Sequence, residues 1–574
     1  MTDTTGTSAS SPGLPRQLPA FLSRPSVHCL LLIALGGLLF IPFLGSVHLY
    51  DWDELNFAEA SREMLETGNF MRVTINYQPF WEKPPLFFWL QACSMKLFGV
   101  NEFAARFVNA MAGIITLLVV YTIGRKWFDA VFGLLWALVL AGSFLPHVFF
   151  KSGIIDPVFN LFIFCAMTAA ASILVNDDRR MRGRLSIAAG VFIGLAILTK
   201  GPVGLILLAL TLFVYWAMTR FKPLFSLKEI ALFTCAMTLV SALFYGIETA
   251  LHGTWFITEF IRYHLRLFST GDAGHGRPFY FHFLILLFGC FPASFLAVRS
   301  FKRDEGYGQP QEVYNRMVTI LFWVVLVLFS IVKTKTVLYS SLCWFPIAYL
   351  AALHMRKLVS GDVRWNRPLF ISFVVFTALI GAAVTAFPLI MKHKEIIMPL
   401  IRDKFAVACL KKPVPWNGAE CLIGIGFLSI AAAAFILIAR RKIVGGLVAL
   451  FIACVLCVQL TLIVINPKIE QYTQSGPIAF YKEHSGEDEY VRSLFKSYAD
   501  LFYGKKRRDD HPLSYDREWL LRGPIDKPVY FVGRIGQDKK YGSPEYGLTR
   551  LVKEYGFVYY RRDPVPVSAY ASSR

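Results

Sequence analysis

The sequence predicts a polytopic α-helical membrane protein of about thirteen transmembrane helices with a small C-terminal α/β domain. Three observations carry that reading. Of 574 residues, 55% are hydrophobic and only 17% are charged. Apolar runs of about 18 or more residues, each long enough to cross a bilayer, recur along most of the chain. The formal net charge of +20 sits in short basic clusters between those runs. That arrangement sets membrane topology and gives no reason to expect a nucleic-acid partner.

The elements follow in order. Residues 1–26 open with Thr, Ser, Gly and Pro and are expected to be a disordered cytoplasmic N-terminus. Arg16 and Arg24 before an apolar run imitate a signal peptide. No small-residue cleavage site follows and an acidic cluster comes directly after, so an uncleaved first span is expected. The apolar runs centre near Leu35, Ile114, Leu138, Phe164, Val191, Leu208, Met237, Leu287, Val325, Ile347, Ala378, Ala431 and Leu456. Residues 27–466 therefore form the transmembrane domain.

Alternate connections carry the basic clusters, among them Arg179-Arg180-Met181-Arg182-Gly183-Arg184 and Arg440-Arg441-Lys442, and belong in the cytoplasm with the N-terminus. The other connections face outward: the first loop at 48–102, Phe144 to Pro157, Thr199 to Pro202, His252 to Tyr280, Lys333 to Tyr339 and Met391 to Glu420. An odd number of spans places the tail outside as well. That tail, 467–574, is rich in charge and has strand-like runs at Val529 to Val532 and Phe557 to Tyr560. Leu548 to Tyr555 between them reads as a short helix. Most cysteines lie in apolar runs as expected free thiols. Cys409 and Cys421 flank an outward polar loop and could pair there, or Cys421 could be a buried thiol.

The first outward loop organises the chemistry. Asp51, Asp53 and Glu54 open it, and an Ala/Glu/Met-rich helix from Leu55 to Leu65 follows, stopped by Gly68. Phe80-Trp81-Glu82-Lys83-Pro84-Pro85 then starts a second helix, Leu86 to Leu97, because prolines fit only a first turn. The remaining outward loops bring Asp156, Lys200, Arg262, His264, Arg266, Lys333, Lys335 and Tyr339 to the same side of the membrane. An ionisable group in such surroundings is costly and usually functional. The plainer readings are that the cations snorkel to the interface and that Asp156 caps its helix. Asp51-Trp52-Asp53 looks like the acidic motif of nucleotide-sugar enzymes, but no nucleotide-binding domain surrounds it. No glycine-rich phosphate loop, metalloprotease histidine pair or serine elbow occurs.

Trp52-Asp53-Glu54 with Ala58-Glu59 and Arg62-Glu63-Met64, followed by Glu82-Lys83-Pro84-Pro85-Leu86, resembles the bacterial lipid A aminoarabinose transferases. These belong with the protein O-mannosyltransferases among membrane glycosyltransferases of the C-type fold. Gly153-Ile154-Ile155-Asp156-Pro157, Leu198-Thr199-Lys200-Gly201, and Lys335 with Tyr339 extend the match, which runs from about Leu30 to about Leu350. The resemblance implies an enzyme of the bacterial inner membrane that moves a sugar from a polyprenyl-phosphate donor to a periplasmic-face acceptor. Lipid A or another glycolipid is the expected acceptor, with protein as the alternative. It implies Asp53, with Glu54 and Asp156, as catalytic carboxylates, and Lys83, Lys200, Arg262, Lys335 and Tyr339 around the donor phosphate. It further implies Glu82 and His264 as ligands of a divalent metal, zinc being the expectation. Asn56 departs from the pattern, which has an arginine there.

The chemistry is consistent with that picture. A lipid-phosphate leaving group needs positive charge as the glycosidic bond breaks, and lysine, arginine or a metal supplies it. A carboxylate such as Asp53 can take the proton of a hydroxyl acceptor. Direct displacement would invert the anomeric centre. The rival from another class is a transporter or flippase of lipid-linked or anionic solutes, for which the sequence lacks the expected related halves.

Overall fold

The computed structural model describes residues 24–270, 276–301, 308–486, 488–508 and 511–564. Residues 1–23 of the expected disordered N-terminus and the last ten residues of the tail lie outside the described residues, while Pro25 and Ser26, expected to be disordered, open the first helix.

The chain is mostly helical. Seven helices among the described residues are long and apolar enough to cross a membrane, and the number rises to nine if each of two bent pairs is one span. Every expected span centre falls in a helix. The four that fail the length and composition test lie in the shorter helices Pro25–Phe40 (α1), Ala130–Ala141, Val203–Met218 and Trp344–Ser360. The bent pairs are Leu227–Ala242 with Tyr245–His252, at 50°, and Phe281–Gly289 with Ala293–Phe301, at 107°.

The first loop folds as its residues direct. Helix α2 (Asp53–Thr67) begins with two acids in its first turn, where the helix dipole favours negative charge, and ends at Gly68 with φ +67°. A two-residue hairpin, β1 (Thr74–Ile75) and β2 (Gln78–Pro79), follows; Asn76 and Tyr77 at its tip have positive φ. Helix α3 (Leu86–Phe98) starts directly after Pro84-Pro85. The next element, α4 (Glu102–Trp127), is the first long span after the loop.

The tail is organised around a four-stranded sheet in the order β3 (Tyr490–Ser493), β4 (Val529–Arg534), β6 (Phe557–Arg562), β5 (Thr549–Glu554). Strands β3 and β4 are parallel, and the other two pairings are antiparallel. The expected helix at Leu548 to Tyr555 is thus corrected to the edge strand β5. Tyr555-Gly556 forms a turn of two positive φ values that folds it back on β6. All its side chains are exposed, so no buried stripe dictated its period.

The boundary expected at residue 467 is not a break. Helix Ile443–Thr473 runs continuously through it for 31 residues, with a π-helical stretch at Thr461–Ile465. The tail then packs back on the first loop. Leu49, Leu55 and Ala58 share one buried cluster with Ile478, Tyr481, Phe502, Val532 and Tyr559. Leu49 N–H donates to the Tyr503 hydroxyl at 2.8 Å, and Tyr50 OH donates to Asn466 at 2.8 Å.

All the cysteines among the described residues are free thiols, which corrects the possible bridge between Cys409 and Cys421. Cys409 is buried against the tail: a Cβ added at Gly556 would stand 2.7 Å from its sulfur.

Candidate active site

The site is built on the start of α2. Asp53, Asn56 and Phe57 share one face, three and four residues apart, and line a cavity of about 1460 Å³. Its wall also holds Glu82, Lys83, Asp156, Lys200, His264, Lys335 and Tyr339. All the sequence-derived candidates except Arg262 and Lys333 therefore meet at one cavity, although they come from segments up to nearly 300 residues apart.

Lys200 ends the helix Arg179–Lys200, and its Nζ donates to Asp156 Oδ1 at 2.7 Å. Asp156 is the first residue of the helix Asp156–Leu174, with Ile155 at the cap position, so its carboxylate pairs across to Lys200 and does not serve as the cap. The Lys200 ammonium also lies 5.7 Å from the Tyr339 ring centroid. Gly201, at φ +90°, lets another element approach: a Cβ there would stand 2.2 Å from Phe260 Cζ. Phe260 lies in the helix Trp255–Ser269, which brings Tyr263, His264 and Arg266 to the cavity wall. Lys83 stands 5.3 Å from the Tyr263 ring centroid, a cation–π approach. Lys335 is buried and donates to the Val332 carbonyl at 2.6 Å.

The field in this cavity is only partly compensated. Burial pushes the Asp53 carboxyl above its ordinary value; Lys83 and Lys200 pull it down, while Asp156 and Glu82 push it up. Burial likewise lowers the Lys83 ammonium, opposed chiefly by Glu82. His264 is lowered to about 4 by burial, with Lys83 and Lys200 adding to the shift. Its Nδ1 bonds to the Phe260 carbonyl at 2.9 Å, so Nδ1 carries the proton and Nε2 the lone pair. Neutral imidazole is a ligand or a base, not a cation for phosphate.

Two expectations are corrected here. Glu54 is a framework residue. Its oxygens accept from Arg106 Nε at 2.9 Å and Nη2 at 2.7 Å, from Tyr50 N–H at 2.9 Å and from Gly153 N–H at 2.6 Å. Burial opposes ionisation, but Arg106 outweighs it and holds the carboxyl below its usual range. With both oxygens engaged, Glu54 has no capacity left for substrate. Arg262 points away from the cavity: its side chain is 70% exposed and ion-paired with Glu259 on the same helix. Arg266, one turn on, and Arg277 line the wall instead.

Asp51 is also set apart from Asp53. It accepts from the Ser497 hydroxyl and, at 3.4 Å, from the Tyr498 N–H, both in the tail. Trp52 continues that contact, with Lys496 Nζ 4.0 Å from its ring centroid. Sequence reasoning missed Arg106, Arg277 and Lys496. Only Arg106 left a signal, as a charge in the first turns of a long apolar helix.

Among the described residues, no three or more His, Cys, Asp or Glu side chains are grouped to hold a metal ion.

Comparisons with known proteins agree with this layout. The family model for dolichyl-phosphate-mannose-protein mannosyltransferase matches residues 82–247. A Shewanella sediminis protein named undecaprenyl phosphate-alpha-4-amino-4-deoxy-L-arabinose arabinosyl transferase is 28% identical over 352 residues, 60% of this chain and 63% of that protein. An Enterobacter protein of the same name is 28% identical over 54% of this chain and 56% of its own length. The chain thus spans less than two thirds of these relatives. The crystal structure of ArnT from Cupriavidus metallidurans bound to undecaprenyl phosphate superposes with a TM-score of 0.73 at 18% identity, covering 94% of this chain and 98% of that one. Its apo form gives 0.72. The chain is a multi-pass membrane protein with the ArnT fold, similar in sequence to the aminoarabinose transferases and, over residues 82–247, to the protein-mannosyltransferase family model.

Proposed function

We propose that the protein is an inner-membrane glycosyltransferase that moves a sugar from a polyprenyl-phosphate donor to lipid A or another glycolipid. The observation that carries this reading is Asp53 opening on a cavity that also holds Lys83, Lys200, Lys335, Arg266 and Arg277. A carboxylate beside a concentration of cations suits a reaction whose leaving group is a phosphate. Ile206, Leu207, Leu328 and Phe329 give the same cavity an apolar side, from two helices otherwise rich in lipid-facing residues, where a prenyl chain can lie.

With a hydroxyl acceptor, the acceptor oxygen bonds to the anomeric carbon as that carbon's bond to the phosphate oxygen breaks. The phosphate leaves with the electron pair, and Asp53 takes the hydroxyl proton. The displacement inverts the anomeric centre. With an anionic phosphate acceptor no base is needed, and Asp53 stabilises positive charge at the sugar. Lys83, Lys200 and Lys335 hold the carrier phosphate, with Tyr339 beside them, and Asp156 fixes Lys200 through the ion pair.

The topology we propose has thirteen spans, the N-terminus in the cytoplasm and the sheet-containing tail on the periplasmic face. The three regions are the N-terminal segment before α1, the transmembrane domain, and the tail that follows the helix Ile443–Thr473. The four shorter helices support that count by falling on the expected centres, and the packing of the tail on the first loop supports a shared side.

A divalent ion held by Glu82 and His264 is a separate proposal. It is supported by their shared cavity and by the Nε2 lone pair of His264. The chain offers two ligands there, fewer than the three or four of ordinary zinc sites, and other donors would have to come from substrate or water. Such an ion would neutralise phosphate charge; no step above depends on it.

The match to the protein-mannosyltransferase model favours protein as the second acceptor class. The test is sugar transfer by the purified protein from an undecaprenyl-phosphate donor to lipid A and to periplasmic protein. Transfer to lipid A supports the reading. Transport of the lipid-linked sugar with no covalent transfer refutes it.

A further inference from the structure

The polar side chains of α2 are engaged almost throughout. Ser61 donates to the Phe57 carbonyl and to Gln91, each at 2.8 Å, and Glu59 takes two bonds from Arg62. Beside the cavity, the Asn56 side-chain oxygen is left over. Its residue is only 2% exposed, it lines the cavity one turn from Asp53, and its Oδ1 has no hydrogen-bond partner among the described residues. Its own N–H already donates to the Trp52 carbonyl at 3.1 Å, so the main chain is accounted for and the side chain is left over. Buried polar atoms are nearly always paired, and one that is not, on the wall of a site, points to a group that arrives with the ligand.

The chemistry of an amide oxygen narrows that group. It accepts and does not donate. A phosphodiester at neutral pH carries only acceptors, and a prenyl chain carries no polar hydrogen. Of the parts of a lipid-phosphate sugar, only the sugar's hydroxyl or amino groups can donate to Asn56 Oδ1. The charged wall then holds the phosphate, and a neutral amide reads the sugar. The positions agree: side chains three apart on a helix stand about 5–6 Å apart at Cβ, within the width of one sugar ring that also meets Asp53.

We propose that Asn56 is a specificity-determining residue that accepts a hydrogen bond from a hydroxyl or amino group of the donor's sugar. This rests on the glycosyltransferase reading above. The experiment compares binding of sugar-free undecaprenyl phosphate with that of undecaprenyl-phosphoryl aminoarabinose and undecaprenyl-phosphoryl mannose. It uses the full-length protein in nanodiscs as wild type, Asn56→Ala and Asn56→Leu. The leucine variant keeps the volume and has no polar atom to leave unpaired, so it serves if the alanine variant does not fold.

The expected result is that the substitution weakens the sugar-bearing lipid by roughly tenfold, the scale of one lost hydrogen bond, and leaves the sugar-free carrier within about twofold. Equal weakening of carrier and sugar-bearing lipids places the contact on the phosphate and overturns the proposal. So does no change in either, or a wild type for which neither sugar adds affinity. Failure of the wild type to bind even the sugar-free carrier instead brings down the glycosyltransferase reading, and the proposal with it.

Discussion

Asp53 and Glu54 are neighbours in sequence with opposite surroundings. Glu54 lies against Arg106, whose guanidinium also donates to the carbonyls of Leu44 and Val47, at 2.7 and 2.8 Å, and of His48 at 2.9 Å. That pair ties the start of α2 to the end of the first span and to α4. Asp53 turns the other way, into a cavity whose charges are shared among several residues. A buried charge met fully by fixed partners holds the frame. A buried charge met incompletely around a void is available to a substrate.

The contrast can be broken by substitution. The largest effect is expected at Glu54→Leu, which strands the Arg106 charge in the interior and costs about 3–5 kcal/mol of stability. Thermal unfolding in detergent should show a large fall in Tm. A variant as stable as wild type would remove Glu54 from the framework. Next is Asp53→Asn, expected to lose at least roughly a hundredfold in turnover while staying folded. Asp51→Asn, at a cavity-wall carboxylate already engaged by Ser497 and Tyr498 of the tail, should keep most of its activity. An inactive Asp51→Asn beside an active Asp53→Asn would reverse the assignment.

A smaller effect sharpens the map of the cavity wall. Arg266→Ala should weaken the donor by about tenfold in KM, as expected for losing one charge-assisted contact to phosphate. Arg262→Ala, outside the cavity, should match wild type. The reverse pattern would mean that the helix Trp255–Ser269 presents its other face to the donor.

The smallest effect separates the two acids by sign. Glu54 titrates below its unfolded value of 4.5, so its contribution to stability is full above that pH and is lost as the pH falls through the folded value. Asp53 titrates above its unfolded value of 3.8, so its contribution is full below that pH and is lost as the pH rises through the folded value. At pH 7 Asp53→Asn should therefore raise Tm slightly, even as it removes activity. A lowered Tm for this variant would show that the Asp53 charge supports the fold.

Local patterns were enough for several of these features. The caps and prolines of α2 and α3, the apolar runs at every expected span centre, and the strands β4 and β6 are consequences of residues close together in the chain. Helix propensity, proline geometry and hydrophobic period act within a few turns, so sequence alone determined them. The acids and lysines could also be picked out as a group, because ionisable side chains beside apolar runs are costly wherever they occur.

Tertiary structure decided which of those charges were partners. Glu54 looked as catalytic as Asp53 until Arg106, 52 residues later, was placed against it. Arg262 and Arg266 are one turn apart, and only the docking of their helix by Phe260 over Gly201 chose between them. Strand β5 formed because β6 was there to pair with it, although every one of its side chains is exposed. The tail's claim on Asp51 came from Ser497 and Tyr498, more than 440 residues away. Charge, hydrogen bonding and strand pairing act through space at a few ångströms, and the order of residues along a chain does not state which distant groups will arrive within that range.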